Sequence, residues 1–198
     1  MVISLHCRYR SIVLLTVDAD SRMSLERTLR PSLYYFAICS LGDDRFAVTT
    51  RYHDQPPVRI IDTQGNEDDF QLIKFPKRIY KYKKLSFCAY NPVSKALVWT
   101  DGKNIHIVNT MSWTTTTVAQ DTSTQRWKSG VAVGPDGYIY VSSYYTNSVV
   151  CISPHENLIA TFSVGPNPLA ISVSDDGNII VSLLNGEIKL YTIIYTDA

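Results

Sequence analysis

The sequence predicts an all-β protein made of repeated antiparallel units, and three observations support this. Thirteen tyrosines, with many valines, isoleucines and threonines, favour strands, while nine glycines and nine prolines favour turns. No window of a dozen residues keeps the apolar spacing of a helix. Strand–turn–strand patterns recur every 40 to 50 residues, which is the spacing of β-propeller blades.

The clearest copy of the repeat covers residues 129–153. Strands are predicted at 131–133, 138–142 and 149–152. The turn Gly134-Pro135-Asp136-Gly137 joins the first two strands, and a polar loop at 144–147 joins the second and third. This order of strands is an antiparallel meander.

Alignment on one valine in each second strand gives the repeat period. The four valines are 50, 43 and 40 residues apart: Val48, Val98, Val141 and Val181. Apolar residues also occupy the columns two and ten places earlier: Phe46, Ala96, Ile139 and Ile179, and then Ile38, Cys88, Val131 and Ile171. Side chains on one face of a strand recur at every second residue, so each column is predicted to be buried.

Third and outer strands complete the predicted units. Third strands are expected at 58–62, 105–109, 149–153 and 187–192, and outer strands at 69–75, 114–119 and 158–164. Residues 11–18 and 23–29 are expected to be the third and fourth strands of an earlier blade. Because a single blade cannot bury both of its faces, neighbouring blades must stack.

The prediction is one propeller domain over residues 1–198 with about four to five blades of material. It has a partial blade at 1–33, blades at 34–84, 85–128 and 129–166, and a partial or closing blade at 167–198. An incomplete arc of a six-bladed propeller is the preferred arrangement, and a small closed ring is the alternative. An arc would leave open blade edges through which the chain could self-associate.

Several segments also resemble a known family. V-A-V-G-P-D-G-Y-I-Y-V-S-S-Y-Y-T-N-S-V-V-C-I-S (131–153) and L-A-I-S-V-S-D-D-G-N-I-I-V-S-L-L-N-G-E-I-K-L-Y-T (169–192) resemble NHL repeats. F-A-I-C-S-L-G-D-D-R-F-A-V-T-T (36–50), followed by V-R-I-I-D-T-Q-G-N-E (58–67), is similar to the NHL-type propellers at the C-termini of tripartite-motif proteins. The resemblance implies a six-bladed propeller that binds proteins or single-stranded RNA, linked to ubiquitin-ligase or RNA-regulatory complexes. The sequence contains no RING, B-box or coiled coil, so ligase activity and zinc are not implied.

Charge and cysteine content set further bounds. The net charge of +1 demands neither nucleic acid nor membrane as a partner. The four cysteines, at positions 7, 39, 88 and 151, form no C-x-x-C pair, which favours reduced thiols and a cytoplasmic location. The apolar stretch 11–17 is too short for a membrane span.

Candidate binding residues come from loops predicted to share one rim. Residues 74–84 carry six basic side chains and no acid, between an outer strand and the next inner strand. The candidates in this run are Lys74, Lys77, Arg78, Tyr80, Lys81, Tyr82, Lys83 and Lys84. Other loops of the same rim add Tyr34, Tyr35, Arg51, Tyr52, Lys103, Arg126, Trp127, Lys128, Tyr144 and Tyr145. Cations with interleaved aromatics suit acidic peptides or single-stranded RNA; a solvated, edge-protecting strand is the alternative for the basic run.

Catalytic and metal chemistry find little support. The pairs Asp43-Asp44 and Asp175-Asp176 occupy equivalent tight turns, where aspartate bonds the local chain. The four histidines are scattered without ligand spacing. We therefore expect no metal, no cofactor and no enzyme activity, and predict a binding platform whose first candidate partner is a protein. Single-stranded RNA binding is the first alternative, and a propeller hydrolase or lactonase with a divalent metal is the second.

Overall fold

The computed structural model describes residues 2–6, 11–42, 44–50, 56, 58–70, 87–101, 104–118 and 128–192. These residues form strands and turns and contain no helix. Accordingly, no helix in this part of the chain has the length and apolarity that a membrane crossing requires.

The strands form five antiparallel sheets, each a meander in chain order. Sheet A holds β1 (Val2–His6), β2 (Ser11–Val17) and β3 (Met23–Leu29), and sheet B holds β4 (Tyr35–Gly42), β5 (Arg45–Thr50), β6 (Val58–Asp62) and β7 (Glu67–Asp69). Sheet C holds β8 (Cys88–Asn91), β9 (Ala96–Thr100), β10 (Ile105–Asn109) and β11 (Thr115–Val118). Sheet D holds β12 (Lys128–Val133), β13 (Ile139–Ser143), β14 (Ser148–Ile152) and β15 (Leu158–Ser163), and sheet E holds β16 (Pro168–Val173), β17 (Asn178–Leu183) and β18 (Ile188–Thr192).

The predicted fold class is confirmed: the protein is all-β and is built from antiparallel blades of the β-propeller type. Sheets B, C and D are complete four-stranded blades, and sheets A and E have three strands each among the described residues. The predicted third strands at 58–62 and 105–109 match the observed bounds of β6 and β10. The outer strand of sheet B begins two residues earlier than predicted, with β7 at Glu67–Asp69. Residues 71–75 of the predicted strand 69–75 lie outside the described residues.

Contacts divide the chain into two compact units, residues 1–86 and 87–198. The core of unit 1 lies between sheets A and B. Ile12 and Leu14 of β2 pack with Phe46, Val48 and Ile61 of sheet B, each at most 1 % exposed. The alternating burial of β2 follows from its period of two, since only one face of sheet A meets sheet B.

Unit 2 contains two cores, one for each pair of neighbouring sheets. Four apolar residues of sheet C and four of sheet D form the first: Ala96, Val98, Ile105 and Ile107 with Ile139, Val141, Val150 and Ile152. The other face of sheet D packs on sheet E and forms the second: Tyr140, Val149, Cys151 and Val164 with Ile179, Val181 and Leu183. Strand β12 contacts both β8 and β16, so the first strands of successive blades are adjacent.

The predicted valine column is right in three blades and displaced by one residue in sheet C. All four valines are fully buried. Ile38, Val131 and Ile171 pair with Val48, Val141 and Val181, but Cys88 pairs with Trp99. In sheet C, four residues separate the last paired positions of β8 and β9, whereas five separate the equivalent positions in sheets D and E. The alternation of side chains along β9 is therefore shifted by one residue relative to β13 and β17. Trp99 therefore takes the place of the valine, and Val98 lies on the opposite face.

Candidate functional site

Most of the predicted binding residues lie outside the described residues. These are Lys74, Lys77, Arg78, Tyr80, Lys81, Tyr82, Lys83, Lys84, Arg51, Tyr52, Lys103, Arg126 and Trp127, together with the side chain of Lys128. Their role in binding stays a prediction. Tyr34, Tyr35, Tyr144 and Tyr145 are described, the first two in unit 1 and the last two in unit 2.

Loops of unit 2 meet at one rim, as the meander predicts. The linker between sheets D and E lies against the turn of sheet D, because Val164 N–H donates to the Asn147 carbonyl (3.0 Å) and Asn167 N–H donates to Asn147 Oδ1 (2.9 Å). The same linker reaches the turn of sheet E, where Leu184 N–H donates to the Asn167 carbonyl (3.0 Å). We call residues 144–147, 164–167 and 184–187 the unit-2 rim.

Tyr144 and Tyr145 are the large aromatic side chains of this rim. Their rings meet edge to face, with centroids 5.0 Å apart and an interplanar angle of 86°. Tyr145 is 49 % exposed and Tyr144 is half-buried. Leu184, 55 % exposed, adds an aliphatic side chain on the next turn. The rim thus combines fixed loops with rigid amphipathic side chains, the combination found at protein-binding surfaces.

Small hydroxyl side chains fill the space where the strands meet this rim. Ser129, Ser142, Ser143 and Ser148 are all buried. Ser129 Oγ donates to the Pro168 carbonyl and lies 3.1 Å from Ser142 Oγ. Ser143 Oγ has no hydrogen-bond partner within the described residues. The strands are closely packed around Gly130. A Cβ at this position would lie 3.0 Å from Ser142 Oγ and 3.1 Å from the Ile171 amide nitrogen.

Tyr35 lies inside a polar network of unit 1 and is only 2 % exposed. Its hydroxyl donates to Glu67 Oε2 (2.6 Å), and Glu67 also accepts from Ser32 Oγ (2.7 Å) and Arg59 Nη1 (2.7 Å). Arg59 Nε donates to Asp69. Tyr35 was predicted to lie on the rim, and the structure instead buries it in this network. Arg59 and Glu67 were not predicted as its partners, since their only sequence signal is a cation followed by acids on neighbouring strands.

Burial and charge shift the pKa values in this network. Burial raises the pKa of Tyr35 well above its usual range, and the neighbouring Glu67 carboxylate raises it further. Burial also raises the pKa of Glu67, but hydrogen bonds from Tyr35 and Ser32 and the charge of Arg59 outweigh it. The pKa of Glu67 is therefore below its usual value. The network is a charged joint that connects the linker before β4 to β4, β6 and β7.

His106 belongs to a second buried network, in sheet C. Its Nε2 lies 3.0 Å from Asp101 Oδ2, and its Nδ1 lies 3.0 Å from Thr117 Oγ1. The ring also contacts Trp99 edge to face, with centroids 4.7 Å apart. Both ring nitrogens are engaged, so this histidine fixes β9, β10 and β11 to one another and has no nitrogen left for a metal.

The acidic turn at Asp175-Asp176 was one of two acidic pairs weighed as possible metal ligands. Asp176 accepts from Ser174 Oγ and from Asn178 Nδ2 (2.7 Å), so its carboxylate bonds its own turn. Asp43 lies outside the described residues. Within the described part of the chain, no group of three or more His, Cys, Asp or Glu side chains could hold a metal ion.

No protein-family model matches the sequence, and no curated protein matches it. Solved structures do match. Virginiamycin B lyase from Staphylococcus aureus is 12 % identical with a TM-score of 0.61, over 96 % of this chain and 69 % of that chain. A protein of unknown function from Desulfotomaculum acetoxidans is 12 % identical with a TM-score of 0.62, over 93 % of this chain and 63 % of that chain.

A chain of the mitotic checkpoint complex is 17 % identical with a TM-score of 0.66, over 94 % of this chain and 57 % of that chain. At these identities the likeness shows the propeller-type fold and no more. This chain therefore spans somewhat over half to about two thirds of the length of the three structures named.

Proposed function

We propose that this protein is a non-enzymatic binding platform whose partner is another protein, bound at the unit-2 rim. The single observation that carries the proposal is the tyrosine pair on a rim whose loops are tied together by backbone and asparagine hydrogen bonds. Binding to a surface that is already ordered costs little conformational entropy. Tyrosine is also among the residues that contribute most to protein–protein binding energy.

The structural neighbours are proteins of two kinds. One neighbour is a chain in the mitotic checkpoint complex, a propeller-type fold within a multi-protein assembly. Another is virginiamycin B lyase, an enzyme. We favour the binding role because the tyrosine pair stands on an ordered rim. His106, enclosed by Asp101, Thr117 and Trp99 and 2 % exposed, is itself unsuited to proton transfer with a ligand.

The narrower parts of the proposal depend on the sequence. The two NHL-like repeats support a link to tripartite-motif propellers and their ubiquitin-ligase or regulatory complexes in the cytoplasm. The six basic residues between positions 74 and 84 support single-stranded RNA as the second candidate ligand. Both candidates use a propeller rim as the binding surface and require no cofactor.

Quantitative affinity capture from extracts of the protein's own cells tests the proposal. The comparison includes the wild-type chain, Tyr145→Ser, the double variant Tyr144→Ser/Tyr145→Ser, and Met111→Ser as the control. Met111 is 77 % exposed on the turn between β10 and β11, at the opposite end of its strands from the rim. We expect at least one protein to be retained by the wild type and the control and lost from both tyrosine variants. If every captured protein is retained equally by all four, the unit-2 rim is not the binding surface.

A further inference from the structure

Sheet E exposes a row of large apolar side chains on one face. Ile180 and Leu190 are opposite each other on β17 and β18, and Ile188 is opposite Ser182 in the next row. Their exposed fractions are 38 %, 66 % and 74 % for Ile180, Leu190 and Ile188. The other face of the sheet packs on sheet D through Ile179, Val181 and Leu183. Contiguous apolar surface of this kind on a folded domain marks an interaction site.

The same positions are buried in the two preceding blades. Register alignment equates Ile180, Ile188 and Leu190 with Tyr140, Val149 and Cys151 of sheet D, and with Val98, Ile105 and Ile107 of sheet C. None of those six residues is more than 7 % exposed, because sheet E covers those of sheet D and sheet D covers those of sheet C. The exposed face of sheet E is thus equivalent to the faces of sheets C and D that pack on the next blade along the chain.

Sheet A exposes the complementary kind of surface, the face that in other blades packs on the preceding blade. Ile12 and Leu14 face sheet B, whereas the alternate residues of the sheet face away from it. Val17 and Met23 pair across β2 and β3, Leu25 pairs with Leu15, and Val17, Met23 and Leu25 are 43 %, 68 % and 65 % exposed. In sheets D and E, the face that corresponds to this one packs on the preceding sheet.

We propose that sheet E of one copy docks on the exposed face of sheet A of a second copy. The contact continues the blade-on-blade packing already present between sheets C and D and between sheets D and E. Because the two surfaces differ, the association is head-to-tail and can add further copies. It uses neither Tyr144 nor Tyr145, so the variants that test it differ from those that test partner binding at the unit-2 rim.

Light scattering coupled to size exclusion, over a series of protein concentrations, tests this. The sheet E variant is Ile188→Asp/Leu190→Asp, the sheet A variant is Met23→Asp/Leu25→Asp, and Met111→Asp is the exposed control. All of these side chains are at least 65 % exposed, so the variants should keep their folds, which circular dichroism verifies. We expect the wild type and the control to gain mass with concentration, and each face variant alone to remain a monomer.

Mixing the two face variants distinguishes head-to-tail docking from other arrangements. Each variant retains one intact face, so an equimolar mixture should form a dimer and stop there. A wild type that stays monomeric at every concentration would overturn the proposal. Dimers of the sheet A variant alone would also overturn it, since they would show sheet E pairing with itself.

Discussion

Glu67 accepts hydrogen bonds from three segments of unit 1: the linker before β4 through Ser32, β4 through Tyr35, and β6 through Arg59. Arg59 and Glu67 have side chains only 15 % and 13 % exposed, so neither is well solvated by water. A charge in such a place needs its partners, and the loss of one leaves the others buried and unpaired. The network therefore stabilises unit 1 only while it is complete.

We predict that Glu67→Gln lowers the free energy of unfolding by about 1–3 kcal/mol at neutral pH, the usual effect of leaving buried partners of a charged group unsatisfied. Glu26→Gln is the control, because Glu26 is exposed on β3. Urea unfolding measures both variants. Equal stability of the two variants would mean that the network contributes nothing.

The lowered pKa of Glu67 predicts that the stability of the folded chain depends on pH. The pKa of Glu67 is lower in the folded chain than in the unfolded one, so its stabilising contribution is present above the ordinary glutamate pKa of about 4.3 and is lost as pH falls through the folded value. The stability difference between wild type and Glu67→Gln should accordingly shrink as pH is lowered from 7 to about 3. A difference that stays constant over that range would contradict the assignment.

Turns of the same kind join the first two strands of sheets D and E, and a glycine with positive φ stands at the same place in each. Gly137 has φ +79° and its amide donates to the Gly134 carbonyl (3.0 Å), while Gly177 has φ +82° and donates to the Ser174 carbonyl (2.9 Å). They differ in their surroundings. A Cβ at Gly137 would lie 3.0 Å from Val93 Cβ in the turn of sheet C, whereas a Cβ at Gly177 would meet nothing within 4 Å.

This matched pair of glycines separates backbone strain from blade packing. Gly177→Ala should cost about 1–2 kcal/mol of stability, the penalty of a left-handed residue with a Cβ. Gly137→Ala should cost about 1–3 kcal/mol more, because the turn of sheet C must move. Denaturant unfolding gives both values. Equal losses would show that the turns of sheets C and D are not in contact.

Strand positions were largely predictable from the sequence, and the register of sheet C was not. Period-two patterns and turn residues located the second and third strands because local chemistry determines both. The face of Val98 depended on the turn after Asn91, which is one residue shorter than the equivalent turns of sheets D and E. Its neighbour Trp99 is also a large, buried hydrophobic residue, so the pattern fits either phase. Only the buried contact of Val98 with sheet D resolves the phase.

The candidate site was predicted less well than the fold. Loop order alone placed Tyr144 and Tyr145 at a shared rim, because a meander brings linkers and second turns to one end. The burial of Tyr35 could not be predicted, since it depends on Glu67 and Arg59 from strands far along the chain. Pairings between distant side chains leave no periodic signal in a single sequence.

The basic residues between positions 74 and 84 are the predicted site for an anionic ligand. The prediction is that changing Lys77, Arg78, Lys81 and Lys83 to Glu abolishes retention of single-stranded RNA or of an acidic peptide, because the phosphate or carboxylate groups lose their counter-charges. Filter retention measures RNA at several salt concentrations. Unchanged retention by a folded variant would remove the run from the binding surface.

At the scale of the whole molecule, the central feature is a repeated blade that packs face on face with its neighbours. Nuclear Overhauser spectra of a sample labelled at Ile, Leu and Val methyl groups measure that packing directly. We predict cross-peaks joining methyls of Val98, Ile105 or Ile107 to those of Val141, Val150 or Ile152, and joining Val149 to Ile179 or Val181. Spectra of a folded sample in which neither set of cross-peaks is present would contradict the blade architecture.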